Sequence, residues 1–208
     1  MPHQNRVTPY GQIVAFERHG GWMGNRGCLH ADGAIVRPWN GKRWITCVLE
    51  FKGWVAPQWQ PGRWTALFFD DEAVAFAAGH RPCALCRRAD YVRYCDALGM
   101  KGADAIDARL HADRLDRRAK RLQAVPWPDV PDGAFVEHEE QPMLVLGDEL
   151  LVWSARDRTM PYVSRTDRPV RGSARVITPM TNVMALRAGY TIDVLRDFSA
   201  DFGTVAPI

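Results

Sequence analysis

The sequence predicts an α+β protein: a small antiparallel sheet with a Cys-x-x-Cys turn, a long amphipathic helix, and a C-terminal β-rich lobe. Three observations predict it. Residues 43 to 51 and 64 to 69 are short β-branched and aromatic runs set off by glycine or proline, the pattern of strands. Residues 103 to 123 carry Ala108, Ala112, Leu115, Ala119 and Leu122 at spacings of three and four, the pattern of a helix with one buried face. Beyond Pro126, Pro128 and Pro131, short apolar runs alternate with turn signals.

In chain order, Ile13 to Phe16 reads as a short strand broken by Gly20-Gly21. Met23 to His30 reads as a glycine-punctuated loop leading to Cys28 and His30, which share a face if the segment is extended. Asp32-Gly33 is a turn signal and Ala34 to Val36 the returning strand. Arg43 to Phe51 is the clearest strand of the first half, and Trp64 to Phe69 is another. Asp70 or Asp71 caps a short helix through Ala78, with Glu72 in its first turn and Gly79 after its end. Residues 84 to 98 read as a helix ending near Gly99. The 103 to 123 helix gathers Arg114, Arg117, Arg118, Lys120 and Arg121 towards its end. Cations there suit the helix dipole and would also suit phosphates.

The C-terminal strands are expected at Ala134 to His138, Met143 to Leu146, Leu150 to Ser154 and Ala174 to Ile177, with residues 155 to 172 a long polar loop. Thr178-Pro179 opens a helix to about Ala188, and Tyr190 to Leu195 reads as a last strand. The proline cluster divides the chain into lobes at 1–125 and 126–208.

Composition narrows the function classes. The net charge is only +3 and charged residues make up 25% of the 208 residues, so no strongly basic domain announces itself. No apolar run is long enough to span a membrane, and Met1 to Arg6 lacks the apolar core of a secretion signal. Cysteines number five, an odd count that fits a reducing compartment and argues against a disulfide framework. The expectation is a cytoplasmic protein. Six of the eight tryptophans lie between Trp22 and Trp64, interleaved with Arg37, Lys42, Arg43, Lys52 and Arg63. Such rings build small β cores; with cations between them they also stack bases.

Gly79-His80-Arg81-Pro82-Cys83-Ala84-Leu85-Cys86 presents two thiols at one-turn spacing after a glycine-closed helix. That arrangement suits zinc, which takes four ligands, usually thiolates with some imidazoles. Cys83 and Cys86 supply two. Cys47, Cys28, His30 and His80 are the candidates for the others, and Cys95 reads as a buried small hydrophobe.

The run from Leu67 to Cys86 resembles the second half of the Ada-type metal-binding domain, the zinc module of bacterial DNA alkylation-repair proteins. Trp44-Ile45-Thr46-Cys47 is similar to the strand carrying that family's first cysteine. The resemblance covers about residues 43 to 88 and makes the front lobe Ada-like. It implies that Cys47 is a zinc ligand and methyl acceptor. The family has a second cysteine four residues on, where this chain has Phe51. The ligand set expected is Cys47, Cys83, Cys86 and His30, with Cys28 as the alternative to His30. The chain also resembles a bacterial group sharing the Gly-His-Arg-Pro-Cys-x-x-Cys run, which implies no activity.

Three functions follow as expectations. The first is a zinc protein that interacts with nucleic acid, DNA rather than RNA, through the tryptophan-rich front and Arg114, Arg117, Arg118, Lys120 and Arg121. The second is an alkylation-repair protein with Cys47 as nucleophile. The third is a metal-dependent hydrolase or nuclease that would use His111 and Asp107, one helical turn apart.

Overall fold

A computed structural model of the chain describes residues 2–195. The α+β class holds, and two six-stranded sheets carry it. The front sheet runs in the order Arg81–Pro82, Ile45–Cys47, Trp22–Asn25, Leu67–Phe69, Arg6–Val7 and Ile13–Val14. It is not purely antiparallel: Arg81–Pro82 lies parallel to Ile45–Cys47, and Arg6–Val7 parallel to Leu67–Phe69. The second sheet, antiparallel throughout, runs Gln123–Pro126, Ser173–Val176, Phe135–His138, Gln141–Leu146, Glu149–Trp153 and Tyr162–Asp167.

Period-two alternation explains how the second sheet holds the molecule together. Phe135, Leu144, Leu151 and Trp153 face a core shared with Val7, Phe16, Leu67 and Phe69 of the front half. Val136, Met143, Val145, Leu150 and Val152 face the opposite core, which α2 (Arg88–Leu98), α3 (Ala103–Arg114) and α4 (Met180–Arg187) help to cover through Tyr94, Ile106, Leu110 and Val183. The helix α1 (Glu72–Ala78) sits between these regions, and all seven of its residues are buried. Phe76 joins the helical core, while Val74, Ala75 and Ala78 join the core between the sheets.

The caps of α1 follow the sequence. The Asp71 carboxylate accepts the Val74 N–H at 2.9 Å, and Gly79 takes the left-handed conformation (φ 94°) that closes the helix. Asp70 has a different task and pairs with Arg18.

Several expectations are corrected. The helix expected over 103 to 123 stops at Arg114, because Leu115 is extended and Arg117 turns the chain at φ 55°. Leu115–Asp116 then pairs with Ala119–Lys120 as a hairpin. The apolar residues at 115, 119 and 122 had mimicked a helical stripe. Residues 155 to 172 contain a strand, Tyr162–Asp167, that pairs on Glu149–Trp153 as the sheet edge. Its side chains are exposed beyond Tyr162, so alternation gave no signal. Met23 to Asn25, expected as the start of a glycine-punctuated loop, belong instead to the strand Trp22–Asn25 inside the front sheet. Residues 191–195 are not a strand. The strand Gln123–Pro126 spans the point at which the sequence divides the chain into lobes.

Asp71 gives the fold a pH dependence. Burial raises its carboxyl to about 7, the charge of Asp70 adds to the rise, and hydrogen bonds from Tyr162, Val74 and Leu195 oppose it. A carboxyl raised in the folded state binds its proton more tightly than in the unfolded chain. Its contribution is therefore full below about pH 4 and is lost as pH rises towards 7, by at most about 4 kcal/mol. Asp71→Asn removes this titration. Urea unfolding from pH 4 to 8 should show wild-type stability falling relative to the variant, and parallel profiles would refute the assignment.

Candidate metal centre

Strand register brings the thiols together. Cys47 ends the strand Ile45–Cys47. Arg81 lies beside Ile45 and Pro82 beside Thr46, so the next residue, Cys83, falls alongside Cys47. The Cys83 N–H continues the ladder, donating to the Thr46 carbonyl at 2.9 Å. Pro82 is tolerated because Arg81–Pro82 is an edge strand. Cys86 follows in the turn that leads into α2. The sulfurs of Cys47, Cys83 and Cys86 all lie within 4.8 Å of one another. Zinc–sulfur bonds of about 2.3 Å place tetrahedral sulfurs about 3.8 Å apart, so small side-chain rotations close the set on an ion.

Backbone donors face the sulfurs. The Leu85 N–H lies 3.4 Å from Cys83 Sγ, the Cys86 N–H also donates to Cys83, and the Val48 N–H donates to Cys86. Such donors favour the thiolate form. Hydrogen bonding from Cys83 and Cys86, followed by burial, pushes the Cys47 thiol far up, while bonding from Cys47 and Cys86 pulls Cys83 down. The buried Cys47 keeps a proton at the expense of its neighbour, and a divalent cation would take that proton's place.

Buried polar pairs hold the turn. The Arg81 guanidinium grips Asp107 of α3 through two bonds of 2.8 Å, with both side chains under 5% exposed. Asn182 of α4 donates to the carbonyls of Phe76 and His80, at 2.9 and 3.0 Å, and accepts from Tyr94. These contacts fix both the end of α1 and the start of the thiol segment.

The remaining predicted residues lie elsewhere. His30 is outside the thiol group: its Nδ1 is 2.7 Å from Thr65 Oγ1 and its Nε2 is 3.0 Å from the Gln60 carbonyl. Cys28 also stands apart, its sulfur directed at the His30 carbonyl. The parity argument put Cys28 and His30 on one face, but His30 opens a separate two-stranded hairpin with Ala34–Ile35. His80 is fully buried and accepts from Arg26 Nε at 3.2 Å. Among the described residues no fourth Cys, His, Asp or Glu joins the three thiols.

Phe51 lines a 260 Å³ cleft beside the thiols, with Met23, Ile45, Leu49, Trp54 and Trp64. No single motif in the sequence marks this cleft. The crowding of tryptophans was its signal, since Trp54 and Trp64 pack 6.1 Å apart at its wall. A larger groove of 640 Å³, beside Arg6, Glu17 and His19, meets the cleft only at Leu49.

Of the predicted nucleic-acid cations, Arg114 is buried and donates to the carbonyls of Gly79 and Lys42. Lys120 is half-buried, and Arg117, Arg118 and Arg121 are exposed. Asp107 is taken up by Arg81, and His111 Nδ1 lies 2.8 Å from Arg114. Neither residue reaches the thiols. Among the described residues no helix is long and apolar enough to cross a membrane. No family model, curated protein or solved structure matches the chain.

Proposed function

We propose that this chain is a zinc protein in which Cys47, Cys83 and Cys86 hold the ion as thiolates and the fourth position is left to a ligand from the apolar cleft. The observation that carries this reading is the convergence of three sulfurs, from the end of one strand, the residue after a second, and the turn beyond it. The donor set selects the metal: thiolates suit zinc, whereas calcium and magnesium demand oxygen ligands. Structural zinc sites use four protein ligands; sites that bind a substrate use three. When bound, zinc would keep the sulfurs deprotonated at neutral pH and offer a Lewis acid to the cleft. The cleft walls restrict water, and the Leu85 and Val48 amides steady the sulfur charge.

The resemblance of residues 43 to 88 to the Ada-type domain supports the same reading. The methyl-acceptor role it implies for Cys47 has less support, because that side chain is 7% exposed and Cys86 is the sulfur nearest solvent. DNA binding would fall to the exposed Arg117, Arg118 and Arg121.

Elemental analysis tests the proposal. Purified protein should carry about one zinc per chain, Cys83→Ser less than about a tenth of that, and Cys28→Ser the full amount. Metal-free wild type, or zinc retained by folded Cys83→Ser, overturns it.

A further inference from the structure

Three cations line one cavity without an acid paired to any of them. Arg26, Arg114 and Lys120 line a 330 Å³ space together with Trp39, Trp44 and the exposed Arg118. Arg26 and Arg114 are 1% and 0% exposed. Among the described residues, no carboxylate lies within 4.0 Å of any of the three side-chain cations. The other buried arginines are treated differently. Arg18, Arg81 and Arg87 meet Asp70, Asp107 and Glu72 at 2.8, 2.8 and 2.6 Å.

The donors of the cluster are only partly used. Arg26 Nε donates to His80 and its Nη1 to the Gly11 carbonyl, but the buried Nη2 has no partner among the described residues. Arg114 spends both terminal nitrogens on carbonyls, and its buried Nε is unpartnered. The Lys120 ammonium donates to the Ala77 carbonyl, which leaves two of its three protons. Both guanidiniums lie over the Trp44 ring, 4.0 and 3.8 Å from its centroid. A ring face attracts a cation but carries no countercharge.

Burial, with the charge of Arg114 second, pulls Arg26 well below its ordinary range, and burial brings Arg114 down to about 9. The acid whose charge reaches Arg114 is Asp107, which offsets part of the effect of burial and is itself held by Arg81. Buried like charges of this kind call for an anion.

We propose that this cavity binds the phosphate group of a nucleotide, with Arg26, Arg114 and Lys120 donating to its oxygens and half-buried Trp39 stacking the base. A phosphate monoester carries nearly two charges and several acceptor oxygens, which match the separate donors of the three lining cations. Arg118 stands at the exposed rim, and Trp39 packs edge-on to His111 at 6.2 Å. An aromatic face beside a phosphate site is sequence-tolerant, because every base presents a π-face. The nucleotide is either free or part of a single strand.

The test titrates the full chain with adenosine monophosphate, adenosine, inorganic phosphate and a short single-stranded DNA at constant ionic strength, read by tryptophan fluorescence and thermal unfolding. Adenosine monophosphate should quench fluorescence, raise Tm and bind at least about tenfold tighter than adenosine. Lys120→Met should weaken it about tenfold and the rim variant Arg118→Ala about threefold, while Trp39→Ala should erase its advantage over inorganic phosphate. If Lys120→Met does not fold, Arg118→Ala and Trp39→Ala carry the test. Tighter binding of the mononucleotide identifies a free ligand. Tighter binding of DNA, with a steep salt dependence, identifies a strand. Equal binding of adenosine and its monophosphate, or no binding by any phosphate-bearing probe, overturns the proposal.

Discussion

Replacing Asp70 with alanine is expected to lower stability by about 3–5 kcal/mol. Arg18 grips Asp70 through two bonds of 2.8 Å, and Trp153 Nε1 adds a third at 2.9 Å. The pair is 4% and 1% exposed. Arg18 also donates to the carbonyls of Ser154, Asp157 and Met160, so one guanidinium joins the front half to the loop that follows Glu149–Trp153. Removing the carboxylate leaves a buried cation among carbonyls and rings with no compensating charge. Removing both charges is different: Asp70→Leu with Arg18→Met should recover a large part of the loss, because neither ion then needs desolvation. Guanidinium unfolding of the single and double variants measures both effects. A loss below about 1 kcal/mol for Asp70→Ala would show that water reaches the pair.

Gly24→Ala is expected to damage the fold and the thiol centre together. Gly24 pairs with Thr46 on one side and Leu67 on the other, in the middle of the front sheet. Its backbone is not in the left-handed region, so conformational freedom is not the reason for glycine; space is. An added Cβ would sit 2.2 Å from the Ile45 carbonyl oxygen and 2.9 Å from the Phe69 ring. A backbone oxygen cannot swing aside as a flexible side chain can. The strands must separate, and one of them ends in Cys47. Overpacking typically costs about 1–3 kcal/mol, and a clash with a backbone oxygen at an inner strand belongs at the upper end, about 3 kcal/mol. Zinc content should fall with it, as one of the three sulfurs is displaced. Gly33→Ala is the control: its Cβ meets nothing within 4 Å, and only its φ of 76° costs about 1 kcal/mol. Full metal loading in Gly24→Ala would refute the coupling of strand spacing to the site.

Local chemistry was legible in the sequence wherever one residue type decides a backbone outcome. Asp71 and Gly79 bound α1 because a carboxylate cap and a left-handed glycine have few substitutes. Asp32-Gly33 turns the hairpin His30–Ala31 to Ala34–Ile35 for the same reason. The Cys83 and Cys86 pair was legible because its spacing is set by a single turn, and Cys47 came from the resemblance around it. The identity of a further ligand was not legible. It depends on which strands become neighbours, and the pairing of Trp22–Asn25 with both Ile45–Cys47 and Leu67–Phe69 is a long-range matter. Arg114 misled for another reason. The buried face of α3 is not the alanine stripe but Ile106, Asp107, Leu110 and Arg114, so the Arg114 stem packs against Gly79 and its head is buried. Tyr162–Asp167 was illegible because an edge strand exposed on both faces beyond Tyr162 needs only backbone pairing.

The seven-residue helix α1 also sets how late in synthesis the front half can finish folding. A helix so short does not persist by itself. Its apolar sides are covered by Phe135, Leu144 and Leu151 on one flank, and by Tyr94, Val183 and Tyr190 around Phe76 on the other. The nascent front sheet, with its tryptophans and thiols, therefore waits unshielded until more than a hundred further residues have been translated. An early-terminated fragment is expected to aggregate, because two buried turns built from alanines, Val74 and Phe76 lack both of their covers until then.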